Sequence, residues 1–264
     1  MPQLHLDRRL ELARAAAYEA GQITLRYFCR PDLAVELKSD QTPVTAADRA
    51  SEEHLRRKVA EVFPHDAILG EEFGEQSGTS GFRWIFDPID GTKSFIHGVP
   101  LYGTLVGIER DGECVCGVIY LPALDEMLYA AVCGGAWHVR GAAQAVQARV
   151  SSCQTLSDAL FCTSEVSTFY KMGREQAYLQ LQNTARLART WGDCYGYLLV
   201  ATGRAELMVD PQMSVWDAAA IKPIIEEAGG AFTDWQGQPT IHSGEGLAAC
   251  GGILDEVLGL IGAA

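Results

Sequence analysis

Apolar residues near the start of the chain recur at helical spacing. Leu10, Ala13, Ala17, Ala20, Ile23 and Tyr27 share one face if residues 7–28 form a helix, with Asp7 placed to cap it. Residues 37–44 hold Ser39, Asp40 and Pro43 and read as a loop or short hairpin. A second helix is expected over 46–63, stopped by Pro64. Two short apolar runs, 67–69 and 83–86, read as buried strands, and each leads directly into acid: Glu71-Glu72 after the first, Asp87 after the second. From 104 to 140 the pattern becomes a meander. Strands are expected at 104–109 and 114–120 around a turn at Asp111-Gly112, then at 127–132 and 136–139 across Gly134-Gly135.

Around residues 141–152 the chain turns small and polar, which places a junction between an N-terminal half, 1–145, and a C-terminal half, 146–264, of one compact unit. The second half alternates. A strand at 160–163 precedes helices at 171–187 and 194–201, the latter ending at Gly203. A strand at 206–209, a helix at 216–228 closed by Gly229-Gly230, and a helix at 251–261 follow. Pro223 should break or kink the 216–228 helix. Alternation of this kind implies layers of helix and strand rather than a helix bundle.

Composition narrows the class of protein. The 264 residues are 48% hydrophobic and 21% charged, ordinary for a soluble globular domain with a sizeable core. No apolar run approaches the roughly 20 residues that span a bilayer, and the N-terminal segment lacks the pattern of a secretory signal. A soluble, cytoplasmic protein is the expectation. The net charge of −13 argues against nonspecific nucleic-acid binding, which depends on basic patches. The eight cysteines form no C-x-x-C pair and the six histidines are scattered, so no zinc site is indicated and the thiols are expected to be reduced.

The richest segment chemically runs from Trp84 to Phe95, WIFDPIDGTKSF. Asp87 and Asp90 can converge on one hard cation, with the Ile89 carbonyl as a further oxygen ligand. Gly91 permits a backbone that brings main-chain amides close to an anion, and a helix starting near Thr92 would offer more. A plain turn capped by two aspartates is the competing reading. An EF-hand is excluded, because Pro88 is poorly placed and the twelfth position is Gly98. Three other segments add acid: Gly70-Glu71-Glu72, the Thr45-Ala46-Ala47-Asp48 helix start, and Asp217 in the apolar run Val215-Trp216-Asp217-Ala218-Ala219. Asp48 and Asp217 are also explained as helix caps.

The ordered set LKSDQTPVTAAD, GEE, WIFDPIDGT and WDAAA resembles the inositol monophosphatase superfamily, from Lys38 to at least Gly230. The resemblance implies an α+β fold, a layered αβαβα sandwich, assembled as a homodimer. It implies a magnesium-dependent phosphatase acting on a small phosphate monoester, with two or three Mg2+ held by Glu71, Asp87, the Ile89 carbonyl, Asp90 and Asp217. Most of these ligands fall in the N-terminal half, and Asp217 in the other. By the same resemblance Asp48 and Thr92 orient and deprotonate the attacking water, Gly91 and Thr92 give amides to the phosphate, and Lys38 lies on a mobile loop near the metals.

Specificity is expected in the second half. Gly192-Asp193-Cys194 and Asp210 match the alcohol-recognition region, and two carboxylates there would favour a cationic or donor-rich substrate. Asp193 as a cap of the following helix is the bland alternative. The run GDCYGYLLVATGRAEL, with DPIDGTKSFIHGVPLYGTL, looks most like the bacterial histidinol-phosphate phosphatase branch, with inositol-1-monophosphatase or a broad-specificity phosphatase as alternatives. Lys93 is compatible with the histidinol branch. Branches acting on 3′-phosphoadenosine 5′-phosphate or fructose 1,6-bisphosphate need a second basic cluster, and only Arg186, Arg189 and Arg204 lie near the alcohol region. A noncatalytic metal-binding regulator with the same fold would be expected to have lost a ligand or Thr92. A nucleotide-binding transferase would want a phosphate-binding glycine loop, and neither common form occurs.

Overall fold

A computed structural model describes residues 2–262 of the chain. The N-terminal half opens with helix α1 (Pro2–Leu25), the hairpin β1 (Val35–Leu37) and β2 (Pro43–Thr45), and helix α2 (Ala46–Val62). Strands β3 (Ala67–Gly70), β4 (Gly74–Gln76) and β5 (Phe82–Asp90) follow, then the short helix α3 (Thr92–Ile96). The meander is β6 (Gly103–Arg110), β7 (Glu113–Leu121), β8 (Glu126–Ala131), β9 (Gly135–Arg140) and β10 (Val146–Gln147). These strands make an eight-stranded sheet in the order β10-β9-β8-β7-β6-β5-β3-β4, with β3 and β5 parallel and the other pairs antiparallel.

The second half contains β11 (Leu160–Cys162), α4 (Val166–Lys171), α5 (Glu175–Thr184), β12 (Leu187–Arg189), α6 (Asp193–Ala201), β13 (Leu207–Asp210), α7 (Val215–Glu227), β14 (Gly230–Thr233), β15 (Gly246–Cys250) and α8 (Leu254–Gly262). Its strands form a five-stranded mixed sheet, β12-β11-β13-β15-β14.

Alternation along the strands sorts these elements into layers. In β5, Trp84 and Phe86 face the alanines of α1 (Ala13, Ala16, Ala17 and Ala20) and Leu55 and Val59 of α2, whereas Ile85 faces the opposite core with α6 and α7. In β11, Leu160 and Cys162 join that same central core, while Phe161 packs outward with α5 and α8. The sequence of layers is therefore α1/α2, large sheet, α6/α7, small sheet, α5/α8: an αβαβα sandwich.

Helix α7 can lie flat on the large sheet because both surfaces are small. A Cβ added to Gly107 would come within 2.6 Å of the Ala219 Cβ, and one on Gly117 within 2.0 Å of the Ala220 carbonyl oxygen. That close approach carries Asp217, in the first turn of α7, to the end of β5.

Several expectations about elements are corrected. The first helix begins at Pro2, so Asp7 lies inside it rather than capping it; proline is tolerated in a first turn because its missing N–H would have no partner there. The helix expected at 171–187 is two helices separated by Gly173, whose φ of 67° is left-handed, and Leu187 belongs to β12. Pro223 sits inside an uninterrupted α7. The last helix starts at Leu254 after a single 3-10 turn. All eight cysteines carry free thiols.

Candidate active site

The site forms where β3 and β5, the one parallel pair in the large sheet, end side by side. Gly70 is paired with Phe86, and the Glu71 N–H donates to the Phe86 carbonyl at 3.2 Å, which sets Glu71 beside Asp87. After Asp87 the register with β6 shifts, and the bulge at Pro88-Ile89 turns Asp90 back toward Asp87. The Thr104 hydroxyl holds this bulge by donating to the Pro88 carbonyl at 2.9 Å.

One carboxylate oxygen from each of Asp87, Asp90 and Asp217 lies within 4.8 Å of the other two. Each acid receives a backbone N–H: Ile89 to Asp87 at 3.0 Å, Ser214 to Asp217 at 2.8 Å, and Cys194 to Asp90. Burial, then repulsion from Glu71, Asp90 and Asp217, pushes the Asp87 carboxyl well above its usual range. Burial also pushes Asp90 up to about 7, with Asp217 adding to it, and Asp217 itself to about 7. The ammonium of Lys38 lies between Glu71 at 2.7 Å and Glu72 at 2.6 Å. Three desolvated, mutually repelling carboxylates are the donor set of a hard cation, which would relieve both penalties. The Ile89 carbonyl, which accepts the Thr92 hydroxyl at 3.0 Å, keeps a second lone pair for the same purpose.

Asp48 and Asp217 each take part in a helix cap. Thr45 and Asp48 form a reciprocal capping box on α2, with the Asp48 carboxylate accepting from the Thr45 N–H at 2.8 Å and its hydroxyl at 2.7 Å. Ser214 and Asp217 form the same box on α7. Ala47 packs with Ile89, Phe95 and Tyr102, which brings the start of α2 against the DPIDGT turn. Burial is the main cause that raises the Asp48 carboxyl, to about 6. Gly91, with φ of 81°, caps α3 through backbone alone, and any Cβ there would be strained and only 2.9 Å from an Asp193 oxygen.

The second-half residues divide. Asp193 is the first residue of α6, with φ of 50°, while Gly192 stands at the cap position. Its carboxyl is pushed well up, first by burial and then by Asp90 and Asp210. Cys194 and Asp210 are the other two residues of the expected alcohol region. The Cys194 thiol is fully buried, at 2.6 Å from where a Gly103 Cβ would stand, and the residue reaches the site through its amide. Asp210 is only 6% exposed. Its carboxylate accepts from the Ser164 N–H at 3.0 Å, the Tyr197 hydroxyl at 3.0 Å and the Thr163 hydroxyl at 3.4 Å, and so fixes the 163–164 loop.

Sequence reasoning missed Glu52. Its fully buried carboxylate accepts from the Glu72 N–H at 2.7 Å, the Phe73 N–H at 3.3 Å and Arg56 Nε at 2.7 Å, and so holds the turn that presents Glu71. A Cβ on Gly70 would collide with it at 1.9 Å. The available signal was its position four residues after Asp48, on the same helical face as Leu55 and Val59. Ser164, whose hydroxyl accepts the Asp193 N–H at 2.8 Å, was missed as well, and nothing local marks it.

Known proteins resemble this chain along nearly its whole length. The model of the inositol monophosphatase family matches residues 5–260. The chain is 46% identical over 240 residues to a histidinol-phosphatase from Chlorobaculum parvum, covering 91% of each, and 40% identical to a histidinol-phosphatase from Streptomyces coelicolor, covering 96% of each. Among solved structures it is similar to an inositol monophosphatase from Zymomonas mobilis, with a TM-score of 0.85 at 32% identity over 97% of this chain and 98% of that one.

Proposed function

The chain belongs to the inositol monophosphatase family, and from that we propose that it is the phosphatase that hydrolyses L-histidinol phosphate to L-histidinol and phosphate, with Mg2+ as its metal. The observation that carries the substrate is Asp193. Its carboxylate sits against Gly91, beside the turn that would hold the phosphate, where an ammonium close to the ester oxygen would reach it. The similarity to histidinol-phosphatases supports the same reading.

Glu71, Asp87, the Ile89 carbonyl, Asp90 and Asp217 would hold the metal, in two or three positions. Bound there, it supplies charge neutralisation for a dianionic ester and a more acidic water. The protein's own groups do the rest. The amides of Gly91 and Thr92 seat the phosphate. Thr92 and Asp48 orient the attacking water opposite the leaving alcohol, and a carboxyl held near 6 by burial is well matched to accept its proton at neutral pH. Water adds at phosphorus as the ester P–O bond breaks, and the alcohol leaves with a proton from solvent. Lys38 sits on the β1–β2 hairpin, already tied to Glu71, and would follow that loop as the site closes. Gly192 gives α6 its approach to the Ser164 loop, because a Cβ there would lie 2.1 Å from the Ser164 Cα.

We also infer a cytoplasmic homodimer whose two halves, meeting near residue 145, act as one unit; among the described residues no helix is long and apolar enough to cross a membrane. Inositol 1-phosphate is the second reading, supported by the similarity to the Zymomonas mobilis enzyme. The test is phosphate release from L-histidinol phosphate after chelation and again after magnesium is restored. Release that returns with magnesium supports the proposal; no release in either state sinks it.

A further inference from the structure

We infer that Glu165 is a specificity determinant of the alcohol pocket: its carboxylate, with that of Asp193, receives the substrate's ammonium group, and Lys93 occupies that place in the free enzyme. This rests on the histidinol-phosphate reading.

A closed circuit of contacts places Glu165 at the rim. Ser164 is pinned to the start of α6 by the Asp193 N–H, 2.8 Å from its hydroxyl, and by Asp210, 3.0 Å from its N–H. Asp193 in turn abuts Gly91, with an oxygen 2.9 Å from where a Cβ would stand. Lys93, two residues after Gly91, returns across the gap and binds the Glu165 Oε2 atom. Since Glu165 directly follows Ser164, the ion pair bridges the two halves over the phosphate turn.

The two oxygens of Glu165 have different partners. Oε1 is held by the Ser167 hydroxyl and, at 3.6 Å, by the Lys171 ammonium, both on the neighbouring helix α4. Oε2 is left to Lys93, whose side chain is 67% exposed. An exposed ion pair of this kind is weakly held and exchangeable. L-Histidinol phosphate carries its ammonium on the carbon next to the one bearing the phosphate oxygen. With the phosphate at Gly91-Thr92, that ammonium falls a few bonds from phosphorus, in the region where Lys93 now sits. A polyol ester presents only hydroxyls there and cannot replace the lysine's charge.

The experiment measures kcat/KM of the magnesium-loaded enzyme for L-histidinol phosphate and for myo-inositol 1-phosphate, in wild type, Glu165→Gln and Lys93→Met. Loss of one charge-assisted contact predicts that the histidinol-to-inositol ratio falls about tenfold in Glu165→Gln. Removing the competing ammonium predicts that the ratio rises about threefold in Lys93→Met. A ratio within about twofold of wild type in Glu165→Gln overturns the inference. So does a ratio that falls in Lys93→Met as it does in Glu165→Gln, because the pair would then be structural. A wild-type enzyme that prefers the inositol ester overturns the substrate reading and this inference together, so the two failures are distinguishable.

Discussion

Glu52→Gln tests how the site is held. The substitution keeps the volume of a side chain that is fully buried, but one of its ends becomes an NH2 group. Glu52 now receives three donors: the Glu72 N–H at 2.7 Å, the Phe73 N–H at 3.3 Å and Arg56 Nε at 2.7 Å. An amide cannot accept at both ends, so at least one buried donor faces another donor. Hydrogen bonds to charged groups contribute about 1.5–3 kcal/mol each, and an unsatisfied buried donor costs about 1–3 kcal/mol. Because the contacts are coupled, the expected destabilisation is about 2–4 kcal/mol, not their sum. In a domain of this size that lowers Tm by roughly 4–7 °C. The turn it releases presents Glu71, so the magnesium concentration for half-maximal phosphate release should also rise, by about tenfold if one carboxylate ligand is misplaced. Denaturant unfolding and a magnesium titration of activity measure the two effects. A loss below about 1 kcal/mol would refute the hydrogen-bond argument. A clear loss of stability with an unchanged magnesium titration would refute the link from Glu52 to the metal site.

Other predictions follow from the same geometry. Asp90→Asn should lower turnover at least about a hundredfold while leaving the fold intact, because the amide oxygen can still accept the Cys194 N–H; it should also raise the Tm of chelated protein by relieving repulsion in the triad. A variant that keeps most of its activity would remove Asp90 from the site. Asp193→Ala should raise KM for L-histidinol phosphate about tenfold and for a neutral ester far less; equal effects on both would exclude it from specificity. Acid stability tests Glu126, which accepts from His138 at 2.7 Å, Arg140 at 3.0 Å and Arg204 at 2.7 Å. Burial opposes its ionisation, but these partners prevail and hold its carboxyl down at about 2, against an ordinary 4.5. Its contribution is complete above the unfolded value and fades as pH falls from about 4.5 toward 2. The stability gap between wild type and Glu126→Gln should therefore be flat near neutrality and shrink in that acid window. A gap that is the same at pH 3 and pH 7 would contradict the pairing.

The legible parts of this protein are those whose signals are local. Asp87 and Asp90 share one turn, and its proline and glycine mark the turn in the sequence; the structure brings Asp217 to within 4.8 Å of both from the other half. The meander was legible because β6 to β9 alternate or run apolar between turns marked by Gly112, Pro122 and Gly134. Strands β14 and β15, AFT and GLAAC at their cores, are short, small-residue and buried, so they carry no period to read. The break at Gly173 was hidden because the apolar spacing on either side fits one helix, and only the backbone's left-handed turn reveals it. Ser164 and Tyr197 act through partners 29 and 13 residues away, and no spacing rule points to them; for Glu52 helical spacing marks the face, but not its bonds to the Glu72 and Phe73 amides 20 and 21 residues on. Asp210 was legible as an acid, but its bonds to the Ser164 N–H and the Tyr197 hydroxyl join separate segments and left no mark in the sequence.

A magnesium phosphatase with this site should prefer an ester carrying an ammonium group. The most direct test offers equal concentrations of L-histidinol phosphate and myo-inositol 1-phosphate to the magnesium-loaded enzyme in one tube, with both esters followed by phosphorus NMR. In a competition the consumption ratio reports kcat/KM alone. Histidinol phosphate should be consumed first, by about tenfold or more. Consumption of the inositol ester first, or of both at equal rates, would contradict it.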